Sequence, residues 1–252
     1  MIKGLEHFKK HFSVLSDHYV LIGGSACAII MEEVGLDFRA TKDLDIVLYV
    51  EALTAEFAIA FWKFIKAGGY QNKLQSTGKQ IFYRFNSPRD DSYPFMLELF
   101  SRVPDAVTLS FGSHLTPIPI NEAISSLSAI LLDDDYYRFI HEGKILINGL
   151  SVLSATHLIP LKARAWLDLK ERRNMGADID DKDIRKHRND VIRLHQLLIP
   201  TERISLPQTI KGDMRSFLEY LQTENSIDFK NLGLKNFRSE EMCKNLKNIY
   251  SI

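Results

Sequence analysis

The fold is decided by the segment Arg39-Ala40-Thr41-Lys42-Asp43-Leu44-Asp45-Ile46-Val47-Leu48-Tyr49-Val50. Its second half is apolar and partly β-branched, which predicts the strongest strand in the sequence. Because side chains two positions apart in a strand share a face, Asp43 and Asp45 are expected to project together, away from Leu44. Adjacent carboxylates repel each other unless a cation lies between them, and Mg²⁺ binds such oxygens together with substrate phosphates. The alternative interpretation is a solvated strand start that binds nothing.

A glycine pair precedes this segment at the junction of a predicted strand and a predicted helix. Residues 18–22 predict the strand, Gly23-Gly24 interrupts it, and Ser25 is expected to cap the helix that follows. Glycines permit backbone conformations in which consecutive N–H groups converge on an anion, and the start of a helix adds its dipole. The pattern predicts a phosphate site, with a purely structural turn as the alternative.

A third carboxylate, Glu98, lies in the apolar run 95–100 on a later predicted strand. Burying a carboxylate is costly unless it is paired. Next to Asp43 and Asp45 it would complete a three-carboxylate cradle for one or two metal ions. The alternative for Glu98 is the exposed face of an edge strand. Arg84 on the preceding strand either touches substrate or is an ordinary exposed strand charge, and the second interpretation is preferred.

The pattern of strands and helices changes near residue 154. Alternating βα and then ββ patterns predict an α/β (α+β) domain over residues 1–154, with a mixed sheet flanked by helices. Residues 155–252 predict a helical C-terminal domain. Further predicted elements are an amphipathic helix at 2–15, a helix at 54–67, strands at 70–75, 80–86 and 95–101, a hairpin around Asn148-Gly149, and helices at 157–173, 181–198, 212–222 and 239–248.

Composition narrows the class of protein further. The 252 residues are 45% hydrophobic and 25% charged, which excludes a disordered chain or a coiled coil as the overall description. The formal net charge is zero, so charge alone gives no argument for nucleic-acid binding. Two cysteines without CxxC spacing argue against a disulfide scaffold or a structural zinc site. With a polar N-terminus and no long apolar run, we expect a cytoplasmic protein with no membrane partner.

Several of these segments together resemble a known family. They are similar to the DNA polymerase β-type nucleotidyltransferase superfamily, and they most resemble the AbiEii/AbiGii toxins of type IV toxin–antitoxin systems. The resemblance covers roughly residues 18–198. The segments that carry it are Gly23-Gly24-Ser25-Ala26, Arg39-Ala40-Thr41-Lys42-Asp43-Leu44-Asp45, the single later carboxylate, Leu158-Ile159-Pro160-Leu161-Lys162-Ala163-Arg164-Ala165-Trp166 and Asp180-Asp181-Lys182-Asp183-Ile184.

The resemblance implies a nucleotidyltransferase fold and a role for each matching position. The positions that would hold nucleotide phosphates are Gly23, Gly24 and Ser25. The metal-binding and catalytic carboxylates would be Asp43, Asp45 and Glu98. Lys162 would be a catalytic residue that reaches the triphosphate, and Asp183 would orient Lys162 or the nucleotide.

The implied reaction is Mg²⁺-dependent transfer of a nucleoside monophosphate from an NTP to an acceptor hydroxyl. The resemblance favours a toxin that acts on RNA, such as the acceptor end of tRNA, with an antitoxin protein as a partner. A small-molecule (aminoglycoside-like) acceptor and a non-catalytic nucleotide- or partner-binding module remain alternatives. Residues 25–42 separate Gly24 from Asp43, and this gap is longer than is usual in the superfamily. Whether the glycine turn lies next to the carboxylates therefore depends on how these residues fold.

Overall fold

The structure is a computed structural model that describes residues 2–72, 83–102, 115–118, 127–224, 227–234 and 238–252. The chain divides into two compact units, Met1–Leu153 and Ser154–Ile252. The first unit contains a mixed sheet flanked by helices, as predicted, and the second is built from helices.

The sheet of the first unit has eight strands among the described residues. They are β1 (Tyr19–Ile22), β2 (Asp43–Leu48), β3 (Arg84–Asn86), β4 (Met96–Arg102), β5 (Leu115–Ile118), β6 (Leu127–Leu132), β7 (Lys144–Ile147) and β8 (Leu150–Leu153). Seven strands follow the order β5-β6-β4-β2-β1-β8-β7, and β3 pairs with β4. β2 runs antiparallel to β1 and parallel to β4.

The helices of the first unit are α1 (Leu5–Phe12), α2 (Gly23–Glu33), α3 (Ala55–Gly68) and α4 (Asp134–Glu142). Local signals mark the ends of α3 as predicted: the Thr54 hydroxyl accepts a hydrogen bond from the Phe57 N–H at 3.2 Å, and Gly69 ends the helix with φ +62°. Aromatic side chains join α1 to α3, with the rings of Phe12 and Phe64 5.3 Å apart. This packing supplies a large apolar core on which the sheet rests.

Apolar alternation fixes the register at the centre of the sheet. Leu44 on β2 and Leu97 on β4 are fully buried and directly paired, and so are their neighbours Ile46 and Leu99. A shift of one residue would bring polar side chains into this buried layer. The opposite face of the two strands therefore receives the alternate residues, among them the carboxylates.

The second unit contains α5 (Ala155–Asn174), α6 (Asp181–Leu194), α7 (Gln208–Thr223) and α8 (Ser239–Tyr250). Pro160 lies inside α5 and has no N–H, so the carbonyl of Thr156 lacks its usual helical donor. The buried hydroxyl of Tyr250 in α8 donates to that carbonyl at 2.7 Å. One helix thus satisfies a backbone group that another leaves open.

Two of the predicted strands lie partly outside the residues that the structure describes. Residues 73–82 lie outside the described part of the chain, and they include half of the predicted strand at 70–75 and the start of the one at 80–86. Gln71 forms an isolated bridge with Asn86. The hairpin is present, with positive φ at both Asn148 and Gly149.

Candidate functional site

The glycine turn lies directly against one of the two aspartates. Gly23 begins α2 with φ +69°, and its neighbour Ile22 pairs with Asp45 across β1 and β2. A Cβ added at Gly23 would lie 1.8 Å from Asp45 Oδ2. Only glycine therefore leaves room for this carboxylate at the start of α2, where backbone N–H groups point outward.

Two side chains from the long loop close over the second glycine. A Cβ added at Gly24 would lie 2.9 Å from Thr41 Oγ1 and 3.3 Å from Arg39 Nη2. The extra residues between Gly24 and Asp43 thus fold back toward α2, and the glycine turn and Asp45 are apposed despite the gap. A cation and a hydroxyl at a helix start are groups that bind phosphate.

Arg39 and Thr41 received no role of their own from the sequence. The signal that could have found them is their spacing, because residues 39, 41, 43 and 45 share one face if the chain stays extended. The structure brings both side chains to Gly24, so they join the candidate site.

The three predicted carboxylates lie on one face of the sheet. Asp45 pairs with Glu98 in the parallel register of β2 and β4, and Asp43 lies two residues before Asp45 on the same strand. Side chains of paired residues in neighbouring strands project to the same side. The sequence therefore predicted correctly which strands would bring these residues together.

Glu98 is engaged by an arginine. Arg84 Nε and Nη2 donate to Glu98 Oε1 at 3.0 and 2.5 Å. Partial burial opposes the charge on Arg84, but the hydrogen bonds and the charge of Glu98 outweigh it, so the pKa of Arg84 lies above its ordinary value. Arg84 is thus not the ordinary exposed strand charge that the sequence suggested.

The predicted three-carboxylate metal cradle is not assembled. Within the ranges that the structure describes, no group of three or more His, Cys, Asp or Glu side chains is arranged to hold a metal ion. The physical reason is that Arg84 holds Glu98. Asp43 and Asp45 lie on one face of β2, and Asp45 lies beside the space that a Cβ at Gly23 would fill. One or two carboxylates plus phosphate oxygens and water make a donor set that fits Mg²⁺.

Ser25 differs from its prediction in two respects. It lies inside α2 rather than at its cap, because the helix already begins at Gly23. Its side chain is fully buried, and its hydroxyl donates to the Ile22 carbonyl at 3.3 Å. The hydroxyl is therefore turned toward the backbone, so the predicted phosphate contact of the Ser25 side chain is not prepared in this structure.

Lys162 is held inside the second unit. Its Nζ lies 2.9 Å from Asp190 Oδ2, and the two side chains are 5% and 0% exposed. Arg193 Nη1 lies 3.9 Å from the other oxygen of Asp190. Burial of a charged pair of this kind makes each partner dependent on the other.

Asp183 lies apart from this pair, in the first turn of α6. Its exposed carboxylate accepts a hydrogen bond from Lys186 at 2.8 Å, which lowers the pKa of Asp183. Of the two roles predicted for Asp183, orienting Lys162 falls instead to Asp190, since α6 turns that residue toward α5. A contact of Asp183 with nucleotide stays a prediction.

Comparison of the chain with protein-family models gives no match, and a search of curated proteins finds no relative. Among the described residues, no helix combines the length and apolar character that crossing a membrane requires. What the protein does is therefore inferred from the contacts around Gly23, Gly24 and Asp45.

Proposed function

We propose that the protein is a Mg²⁺-dependent nucleotidyltransferase, which moves a nucleoside monophosphate from an NTP to an acceptor hydroxyl. The observation that carries this proposal is the contact at Gly23, where the missing Cβ admits Asp45 Oδ2 to the start of α2. Phosphate-binding N–H groups and a metal-binding carboxylate pair then lie side by side, which is what the transfer of a nucleotide requires.

The residues of the first unit divide the work between them. Backbone N–H groups at Gly23 and Gly24 bind triphosphate oxygens, and Arg39 and Thr41 add a cation and a hydroxyl donor above Gly24. Asp43 and Asp45 would hold Mg²⁺, which neutralises the phosphates and favours attack on phosphorus. The acceptor hydroxyl loses its proton to water as its oxygen bonds to the α-phosphorus, the bond from the α-phosphorus to the β-phosphate oxygen breaks, and pyrophosphate leaves.

The finer assignments extend the resemblance in the sequence. We propose the nucleotidyltransferase fold of the AbiEii/AbiGii type, a toxin activity on RNA such as tRNA, a partner antitoxin and a cytoplasmic location. The triphosphate contact of Lys162 belongs to the same proposal and requires its ammonium to leave Asp190 or to act from beside it. The alternatives to this proposal are a nucleotidyltransferase with a small-molecule acceptor and a non-catalytic nucleotide-binding module, and the experiment must distinguish them.

A transfer assay tests the proposal. The protein is incubated with each α-³²P-labelled NTP, Mg²⁺ and total tRNA, and label on tRNA is measured. We expect label with the native chain and with Asp17→Asn, whose exposed carboxylate pairs with Lys144 and lies before the start of β1, whereas the glycine turn follows the end of that strand. The variant Asp43→Ala/Asp45→Ala should give none, because both metal-binding carboxylates are gone.

The other results separate the alternatives. Mg·NTP binding without labelled tRNA would direct the search to small-molecule and protein acceptors. The absence of both Mg·NTP binding and labelled tRNA would contradict the proposed activity. Circular dichroism of Asp43→Ala/Asp45→Ala shows whether that variant is folded, which the comparison with the native chain requires. Asp45→Asn, a smaller change at a partly exposed carboxylate, should stay folded and also give no label.

A further inference from the structure

A short strand with a buried anchor sets the direction of the Arg84 side chain. β3 has only three residues, and its middle residue, Phe85, is fully buried with its ring 5.5 Å from that of Phe61 and 5.7 Å from that of Trp62. Since alternate side chains of a strand point to opposite faces, the burial of Phe85 places Arg84 on the other face. That face carries Glu98.

A row of paired residues connects Arg84 to the glycine turn. Arg84 pairs with Glu98 between β3 and β4, and Glu98 pairs with Asp45 between β4 and β2. Asp45 in turn lies against the start of α2 at Gly23. Burial opposes the charge of Arg84, but the hydrogen bonds and charge of Glu98 and, more weakly, the charge of Asp45 raise its pKa. The guanidinium therefore interacts with the carboxylate beside the glycine turn.

Two of the three guanidinium nitrogens are used within the protein. Nε and Nη2 of Arg84 both donate to Oε1 of Glu98, whose side chain is only 12% exposed, and these two bonds fix the orientation of the group. Within the part of the chain that the structure describes, Nη1 of Arg84 forms no hydrogen bond. The Arg84 side chain is 39% exposed, so Nη1 can donate to a ligand while Nε and Nη2 stay on Glu98.

The chemistry of this face favours an anionic ligand at Nη1. Asp43, Asp45 and Glu98 lie on the face, so a phosphate that approaches it meets negative charge unless a cation offsets that charge. A guanidinium held in one orientation does this and also binds phosphate oxygens directionally. We infer that Arg84 is a substrate-binding residue whose Nη1 donates to a phosphate of the nucleotide. The inference rests on the proposed function.

Nucleotide binding by the whole chain tests this contact. Binding of each α-³²P-labelled NTP is measured by equilibrium dialysis in the presence of Mg²⁺, with inorganic tripolyphosphate as an unlabelled competitor. We expect Arg84→Gln to bind both NTP and tripolyphosphate about 10- to 100-fold more weakly, the factor that a hydrogen bond to a charged group supplies. The matched control is Arg102→Gln, which removes another partly exposed arginine of the sheet, paired with Glu51 at 3.0 Å, and should bind like the native chain.

A double variant separates the phosphate contact from neutralisation of Glu98. Arg84→Gln alone leaves a mostly buried carboxylate without its cation, which lowers stability and adds negative charge to the face. Arg84→Gln/Glu98→Gln removes both charges, so a urea titration should show stability closer to that of the native chain. Its nucleotide binding should stay about 10- to 100-fold weaker, because the donor to phosphate is still missing.

The other results decide against the inference. Native binding by Arg84→Gln, or by Arg84→Gln/Glu98→Gln, would overturn it and leave the proposed function standing, since Arg84 would then at most neutralise Glu98. Equal losses in Arg84→Gln and Arg102→Gln would overturn it too, because the effect would follow total charge. Weaker binding of NTP with unchanged competition by tripolyphosphate would contradict the phosphate contact. No NTP bound by the native chain would overturn the proposed function and this inference together.

Discussion

Replacing Gly23 by alanine should separate two effects that a glycine at a functional turn can have. The first is backbone strain, because an L-residue at φ +69° costs about 1–2 kcal/mol, offset in part by about 0.4–1 kcal/mol from the less flexible unfolded chain. The second is displacement of Asp45. The new Cβ would begin 1.8 Å from Oδ2, and atoms of this kind essentially never lie closer than 3.0 Å, so the carboxylate must move by more than 1 Å.

Gly35 provides the matched control. It has φ +73°, and a Cβ added there meets no described atom within 4 Å. Gly35→Ala should therefore lose roughly 1 kcal/mol of stability in a urea titration and keep nucleotide transfer near the native rate. Gly23→Ala should lose more stability and about 100-fold in transfer, because a misplacement of about 1 Å at a reacting centre can cost that factor.

The comparison can refute the argument. If Gly23→Ala and Gly35→Ala lost equal stability, and Gly23→Ala bound Mn²⁺ like the native chain, Asp45 would not be confined by the glycine turn. Measuring Mn²⁺ binding keeps the test independent of the acceptor, which the transfer assay must first identify.

Two predictions concern the second unit. Lys162→Met should lower the free energy of unfolding by about 3–5 kcal/mol, because it removes the ammonium that lies 2.9 Å from the fully buried carboxylate of Asp190; a loss below about 1 kcal/mol in urea would show that the pair is solvated in solution. Burial lowers the pKa of His157 to about 4, so below pH 6.5 the unfolded chain binds a proton that the native chain refuses. Stability should then fall by up to about 1.4 kcal/mol per pH unit between roughly pH 6.5 and 4, and His157→Asn should flatten the unfolding free energy against pH over that interval.

Local patterns were enough to predict several elements. The alternation from Asp43 onward predicted β2 and the shared face of its carboxylates, and Thr54 and Gly69 marked the ends of α3. Such signals act within a few residues and therefore survive in the sequence. Ser25 gave a wrong helix start for the same reason: a capping residue lay where a helix could begin, but the helix begins two residues earlier, at Gly23.

The partners of charged side chains could not be predicted in this way. The pair of Arg84 and Glu98 depends on the register between two strands, and the apolar anchor Phe85 sets that register. The choice of Asp190 over Asp183 as partner of Lys162 depends on how α6 packs against α5. Both are decided by packing between elements, which the spacing of residues along the chain does not record.

The hydrogen bond from Tyr250 to Thr156 has a consequence for the order of folding. It joins residues 94 positions apart, and it satisfies the carbonyl that Pro160 leaves open near the start of α5. During synthesis α5 is made well before α8. The Thr156 carbonyl therefore lacks the Tyr250 donor until α8 has been synthesised. Contacts of such long range slow folding and tie distant segments into one cooperative step. The second unit should therefore acquire its protection from hydrogen exchange in a single late event, with α5 and α8 protected together.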